Sequence, residues 1–177
     1  MASIQDAVKT AKRFGTRRLN AICGVLPPGV NRDDAERTAV ANLRAAAPIA
    51  EAAGILLLIE NINTTDMPGY FAPTVEQAAA LVEAADHSSV RLQFDQYHVG
   101  MMGGDAPSLF REYAPLVEHV QIADVPGRHE PGTGHQPIEI FLHELDTLGY
   151  AGHVGLEYRP SGPSTEAALD WLPRQRR

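Results

Sequence analysis

Four polar residues stand at the ends of four successive apolar runs, and their types and spacing suit them to chemistry. They are Glu60, Asp95, Gln121 and Glu157, and neighbouring members are 26 to 36 residues apart, close to the roughly 30 residues of one strand-plus-helix unit. Three carboxylates and an amide oxygen are hard ligands that suit Mg²⁺ or Mn²⁺. Alternatively, Glu60 and Glu157 could work as a pair that abstracts and returns a proton. The residues therefore predict a metal site or a proton-transfer site.

The elements that must position these residues alternate along the chain. Short β-rich runs, which tend to be followed by Gly, Pro, Asn or Asp, alternate with longer helical patterns, as in a parallel α/β fold. We predict an amphipathic helix over 1–14, strands over 18–24, 55–61, 90–95, 118–123 and 153–158, and helices over 33–52, 74–86, 107–116, 137–148 and 164–172. Because ligands bind at the carboxyl ends of parallel strands, this order gathers the four polar residues at one site.

Length and composition favour a single domain over 1–177. A complete (β/α)₈ barrel needs about 250 residues, so five units predict an α/β fold that is a partial TIM barrel, about three units short. The formal net charge of −7 argues against nucleic acid or an anionic membrane as a partner. The chain has one cysteine, Cys23, and no long apolar stretch, so a cytoplasmic location is expected.

Four segments resemble the hydroxypyruvate isomerase family of the xylose-isomerase-like barrel superfamily. They are 55–71 (ILLLIENINTTDMPGYF), 91–105 (RLQFDQYHVGMMGGD), 118–134 (EHVQIADVPGRHEPGTG) and 149–160 (GYAGHVGLEYRP). The resemblance is to strands four to eight of that barrel, which implies that its first three βα units are absent.

That resemblance also implies an activity and a site. The family interconverts hydroxypyruvate and 2-hydroxy-3-oxopropanoate, and a proton next to a carbonyl becomes removable when the enediolate oxygens are stabilised. By resemblance, Glu60 and Glu157 are the paired acid/base residues. Also by resemblance, Glu60, Asp95, Gln121 and Glu157 surround a divalent cation, Mg²⁺ or Mn²⁺, although positioned hydrogen-bond donors alone could suffice for the reaction.

Three further residues are candidate ligands of an anionic three-carbon substrate. Arg128 follows the fourth predicted strand, and a guanidinium can bind a carboxylate through two parallel hydrogen bonds. The alternative is a loop arginine that pairs with Glu130. His98 could hydrogen-bond a substrate hydroxyl or orient Asp95, because a neutral imidazole donates and accepts. His129, beside Arg128, is the third candidate.

Other functions stay open at this point. The two free sheet edges of a partial barrel invite a partner, so the chain could be a catalytically silent half-barrel that works only with a complementing chain or a second copy of itself. A ketose 3-epimerase is another reading, but a histidine is expected there as the third metal ligand and Gln121 occupies its place. An endonuclease of this barrel type would need more metal-binding histidines and a basic groove, and this acidic chain offers neither.

Overall fold

A computed structural model describes residues 2–173, so Met1 and 174–177 of the predicted domain lie outside the described residues. The helices and strands, in chain order, are α1 (Ala2–Phe14), β1 (Arg18–Asn20), α2 (Arg32–Glu51), β2 (Leu56–Glu60), α3 (Val75–Ala85), β3 (Val90–Asp95), α4 (Gln96–Met101), α5 (Ala106–Tyr113), β4 (Val117–Ile122), α6 (Ile138–Thr147) and β5 (Val154–Leu156). Short 3₁₀ turns occur at Ala114–Leu116 and Ala167–Leu169. The five strands are parallel and pair in chain order.

The predicted partial TIM barrel is confirmed, because the sheet is a curled half-barrel with flanking helices. The central strands β2, β3 and β4 send apolar side chains into one buried cluster with the helices. Within it, the ring of Phe94 on β3 lies 5.5 Å from that of Phe110 on α5 and 5.6 Å from that of Phe141 on α6, distances at which aromatic rings attract one another. The strands that end at Glu60 and Asp95 are therefore held by the main core.

An ion pair joins two strands that are not neighbours in the sheet. The register between β3 and β4 shifts so that Leu92 lies opposite Val117 but the next residue lies opposite His119, which leaves Glu118 as the extra residue of a β-bulge. Glu118 Oε1 accepts a hydrogen bond of 2.6 Å from Arg18 Nη2 on β1. Since β1 and β4 are three positions apart in the sheet order, this contact is possible only when the sheet curls strongly.

Two helices differ from the sequence prediction. The predicted helix over 164–172 is wrong, because the structure has only the 3₁₀ turn Ala167–Leu169 there. Ala168 is the one buried residue of that segment, and so little burial does not offset the cost of starting a helix. Helix α4 was not predicted. It begins directly after β3 because Asp95 Oδ1 accepts a hydrogen bond of 3.2 Å from His98 N and caps it.

Strands β1 and β5 are the two edges of the sheet, and neither pairs with another strand on its outer side in the described part of the chain. Apolar side chains near both edges are exposed: Ile22, just after β1, is 58% exposed, and Leu156 in β5 is 38% exposed. Among residues 2–173, no helix has the length and apolar character needed to cross a membrane.

Candidate active site

The four strand-end residues lie at one end of the sheet. Glu60 and Asp95 are the last residues of β2 and β3, Gln121 is next to last in β4, and Glu157 directly follows β5. In the sheet register Asp95 lies opposite Gln121. Glu60 and Asp95 are buried, at 5% and 1% exposure, whereas the side chain of Glu157 is 49% exposed. The cluster therefore has a buried half and an open half.

Glu60 is a buried carboxylate held by two amides. Asn20 on β1 donates a hydrogen bond to Glu60 Oε2, and the side chain of Gln93 also hydrogen-bonds this carboxylate. Burial raises the pKa of Glu60 and the negative charge of Glu157 raises it further, while the two amides and the charge of Arg128 act in the opposite direction. A carboxyl with a raised pKa is suited to take and return a proton near neutral pH.

Asp95 is more completely buried and has one oxygen without a hydrogen-bond partner. Its Oδ1 accepts from His98 N, but Oδ2 has no hydrogen bond. The nearest charged or titratable nitrogens to Oδ2 are His98 Nε2 at 3.6 Å and Arg128 Nη2 at 3.9 Å. Burial, followed by repulsion from Glu60, raises the pKa of Asp95 well above its ordinary value. An orphaned buried carboxylate oxygen beside a second carboxylate fits a divalent cation, whose charge would relieve both effects.

Gln121 lies at the strand end where it was predicted as a cation ligand, but its side-chain amide already has a hydrogen-bond partner. Its Oε1 accepts a hydrogen bond from Gln93 Nε2. Among the His, Cys, Asp and Glu side chains of residues 2–173, those of Glu60, Asp95 and His98 have potential ligand atoms within 4.8 Å of one another. The roles of Gln121 and Glu157 as cation ligands stay predictions.

Arg128 reaches the open half of the cluster. Its backbone has a φ of 54°, and its Nη2 donates to Glu157 Oε2 at 2.7 Å. The guanidinium lies over the ring of Tyr97 at 4.8 Å from the centroid, a cation–π contact that fixes its plane. The structure does not pair Arg128 with Glu130, which instead accepts a hydrogen bond of 2.9 Å from the backbone N of Ser161. The role of Arg128 as a substrate ligand stays a prediction.

The two candidate histidines lie in different surroundings. His98 is 2% exposed, and burial, followed by the charge of Arg128, lowers its pKa to about 4. His98 is therefore neutral at pH 7. The ring of His129 is hydrogen-bonded through Nδ1 to the backbone oxygen of Arg159 at 2.7 Å. Its role as a substrate ligand stays a prediction.

Sequence reasoning missed Asp124, which organises the loop that carries Arg128. Its side chain accepts four backbone hydrogen bonds of 2.9 to 3.0 Å, from the N–H groups of Val125, Gly132, Gly134 and Gln136. A Cβ at Gly134 would lie 2.0 Å from Val125 O, so only glycine allows this close approach. Burial would raise the pKa of Asp124, but the four N–H groups outweigh it and lower the pKa. The glycines after Asp124 were the available signal.

Asp124→Asn should destabilise the protein by about 3 kcal/mol at pH 7, because the amide NH₂ faces backbone N–H groups and leaves some of them without an acceptor. Since the native pKa is depressed, the contribution of Asp124 is complete above about pH 4 and is lost as pH falls through the native pKa. The stability difference between parent and variant, measured by urea unfolding, should therefore be smaller at pH 3 than at pH 7.

Asp86→Asn is the matched control for that measurement. Asp86 is exposed, has a φ of 51° and ends α3, and asparagine tolerates that conformation. Its unfolding midpoint should stay close to that of the parent. An equally small effect of Asp124→Asn would contradict the structural role given to Asp124.

The fold and site together define an α/β half-barrel with carboxylates at the carboxyl ends of its strands. A model of the xylose isomerase-like TIM barrel family matches residues 1–175. The chain belongs to this family.

Individual relatives show which members of the family this chain is similar to. The chain is 37% identical over 170 residues to 2-oxo-tetronate isomerase of Cupriavidus necator and 35% identical over 169 residues to hydroxypyruvate isomerase of Escherichia coli, covering 96% of this chain and 65% of each relative. The crystal structure of AP endonuclease, family 2, from Brucella melitensis superposes with a TM-score of 0.90 at 36% identity, covering 99% of this chain and 69% of that one. The chain thus spans a little under two thirds of the two curated relatives.

Proposed function

We propose that this chain carries the acid/base site of an isomerase that interconverts hydroxypyruvate and 2-hydroxy-3-oxopropanoate. The observation that carries the proposal is the buried pair Glu60 and Asp95 at adjacent strand ends, with Arg128 3.9 Å from Asp95 Oδ2. Carboxylates with raised pKa next to a guanidinium suit proton transfer on a small anionic substrate. The names of the relatives from C. necator and E. coli support the same reaction class.

In the proposed reaction, Arg128 binds the substrate carboxylate and His98 hydrogen-bonds a substrate oxygen. One of Glu60 and Glu157 takes a proton from C3 of hydroxypyruvate, and the C3–H electron pair becomes the C2–C3 double bond of an enediolate. The other delivers a proton to C2, while the hydroxyl proton moves from O3 to O2. The carbonyl is then at C3 and no atom is gained or lost. Glu60, held by Asn20 and Gln93, is positioned for one of these transfers.

The residues fit a divalent cation, which would be held by Glu60 and Asp95 with Gln121 and Glu157 as the predicted further ligands. When bound, such a cation supplies Lewis-acid stabilisation to enediolate oxygens. The raised pKa of Asp95 and its orphaned Oδ2 support this choice.

Solvent-deuterium exchange tests the proposed function. Hydroxypyruvate is incubated with the purified chain and Mg²⁺ in D₂O, and loss of the C3 protons is followed by NMR. We expect exchange about 100-fold or more above the rate in buffer with Mg²⁺, the usual scale of general acid–base catalysis. A folded chain that exchanges the C3 protons no faster than buffer would contradict the proposal for this chain acting alone.

A second candidate function is a half-barrel that is active only in a complex with another chain. The apolar edges of the sheet support this candidate. A groove of about 450 Å³ lies beside β1 and one of about 590 Å³ lies beside β5. The residues lining them include Ile4, Leu19 and Leu43 at the first and Leu145, Val154 and Trp171 at the second. Two copies would bring ten strands to a barrel that holds eight, so a chain that supplies three βα units fits the gap better.

Size-exclusion chromatography with light scattering, combined with the exchange assay on each fraction, separates the two candidates. The second candidate expects exchange only in fractions heavier than one chain. A monomer of 19.1 kDa with exchange activity would contradict it and support the first.

Two other functions are less well supported by these residues. For a ketose 3-epimerase, Gln121 stands where a histidine ligand is expected, so a sugar substrate is not favoured. For an endonuclease, the function for which the Brucella protein is named, the net charge of −7 opposes binding to a phosphate backbone.

A further inference from the structure

Asn63 is fully buried, and its amide can be oriented in only one way. Its Oδ1 accepts hydrogen bonds from the backbone N–H groups of Thr65 at 2.9 Å and Asp66 at 2.8 Å. A flipped amide would point N–H groups at N–H groups, so Oδ1 and Nδ2 are assigned by their partners. Nδ2 therefore donates both of its hydrogens elsewhere.

The two hydrogens of Asn63 Nδ2 go to a carboxylate and to an imidazole. Asp66 Oδ2 accepts at 3.0 Å, and His98 Nδ1 lies at 2.6 Å. Because Nδ2 is a donor, Nδ1 of His98 must be the acceptor and carries no hydrogen. A proton on Nδ1 would place two N–H groups against each other at hydrogen-bond distance.

We infer that Asn63 is a positioning residue that fixes His98 as the Nε2–H tautomer, so that the ring presents a hydrogen-bond donor to the site. Nε2 lies 3.6 Å from the orphaned Oδ2 of Asp95. The catalytic meaning of this tautomer rests on the proposed function. The tautomer determines which kind of substrate atom His98 can bind. A protonated Nε2 binds an acceptor oxygen, such as the carbonyl or enediolate oxygen of a ketoacid.

The same tautomer removes His98 from the possible cation ligands. An imidazole nitrogen coordinates a metal through its lone pair. While Nδ1 accepts from Asn63, the ring hydrogen is on Nε2, so Nε2 has no lone pair available. Of the three residues with converging ligand atoms, Glu60, Asp95 and His98, the two carboxylates remain. Asn63 thus separates the group that donates to the substrate from the groups that bind a cation.

The contacts of Asp66 allow the tautomer assignment of His98 to be tested. It accepts from Asn63 Nδ2 and, at 2.9 Å, from Tyr97 Oη. The double variant Asn63→Asp/Asp66→Asn is called the exchange variant because the two side chains exchange places. It keeps the total charge of the pair. The new carboxylate at position 63 faces His98 Nδ1 and needs a hydrogen from it, which favours the Nδ1–H tautomer.

Long-range ¹H–¹⁵N NMR of the His98 ring at pH 7.5 reads the tautomer directly and needs no turnover. In the parent we expect a hydrogen on Nε2 and none on Nδ1, and the same pattern after addition of Mg²⁺. The exchange variant should move the hydrogen to Nδ1. The single variant Asp66→Asn should keep it on Nε2, because Asn63 is intact.

Asn31→Asp is a matched control, since Asn31 is an exposed helix cap at which aspartate serves equally well. It should leave the His98 spectrum unchanged.

A parent spectrum with the hydrogen on Nδ1, or a folded exchange variant that keeps it on Nε2, would overturn the inference. If the exchange variant does not fold, the parent and Asp66→Asn spectra still decide. Isomerase inactivity with the expected NMR pattern would contradict the proposed function and leave the tautomer assignment standing.

Discussion

Glu60→Gln should lower the rate at which hydroxypyruvate is converted to 2-hydroxy-3-oxopropanoate, followed by NMR, by a factor of about 10² to 10⁴, the range lost when a general acid–base is removed. Glutamine keeps the size of the side chain, and its amide oxygen can still accept a hydrogen bond from Asn20, which donates to Glu60 in the parent. It cannot take a proton. The fold should persist because the variant removes a buried carboxylate whose pKa burial and Glu157 both raise.

The control and the companion variant make this result specific. Glu36→Gln changes an exposed residue of α2 in the same way and should convert hydroxypyruvate at the parental rate. Glu157→Gln should reduce the conversion on the same scale as Glu60→Gln, because the reaction needs one carboxylate at C3 and the other at C2. If a folded Glu60→Gln variant retained the parental rate, the acid/base role of Glu60 would be wrong.

Arg128→Met should raise the KM for hydroxypyruvate about 10- to 100-fold, because a charge-assisted hydrogen bond to a carboxylate contributes about 1.5–3 kcal/mol. Methionine preserves much of the aliphatic length but removes the fork that lies 2.7 Å from Glu157 and over Tyr97. Arg128→Lys keeps the charge and should fall between the parent and the methionine variant. Initial exchange rates at varied hydroxypyruvate concentration give the KM.

Arg111→Lys is the matched control for the arginine series. Arg111 pairs with Glu144 at 2.8 Å with its side chain 57% exposed, so the KM should not change. An unchanged KM in Arg128→Met would show that the substrate carboxylate is bound elsewhere.

The central strands could be predicted because they are apolar runs that the core buries. Leu58 and Ile59 in β2 and Phe94 in β3 are each about 1% exposed or less, and such runs are visible in sequence. The helix predicted over 164–172 failed because cap and composition signals do not report tertiary burial. Helix α4 was missed because Asp95 is both the last residue of β3 and the cap of the helix that follows, and the strand-end pattern indicates only the first.

For the site, the strand-end rule found the residues but could not find their supports. Glu60 and Asp95 were predicted because parallel topology fixes where strand ends lie. Asn63 holds His98, 35 residues later in the chain. Asp124 accepts from backbone groups up to 12 residues away. Such contacts depend on the path of loops, which local sequence patterns do not determine.

The conversion of [2-¹³C]hydroxypyruvate is the most direct test of the central claim that Glu60 and its neighbours form an isomerase site. In the presence of the purified chain and Mg²⁺, the labelled carbon should change in the ¹³C spectrum from a ketone to a carbon that bears one hydrogen and a hydroxyl group. The Glu60→Gln variant should leave it a ketone. A parent chain that leaves the label as a ketone, or a Glu60→Gln variant that converts it at the parental rate, would contradict this claim.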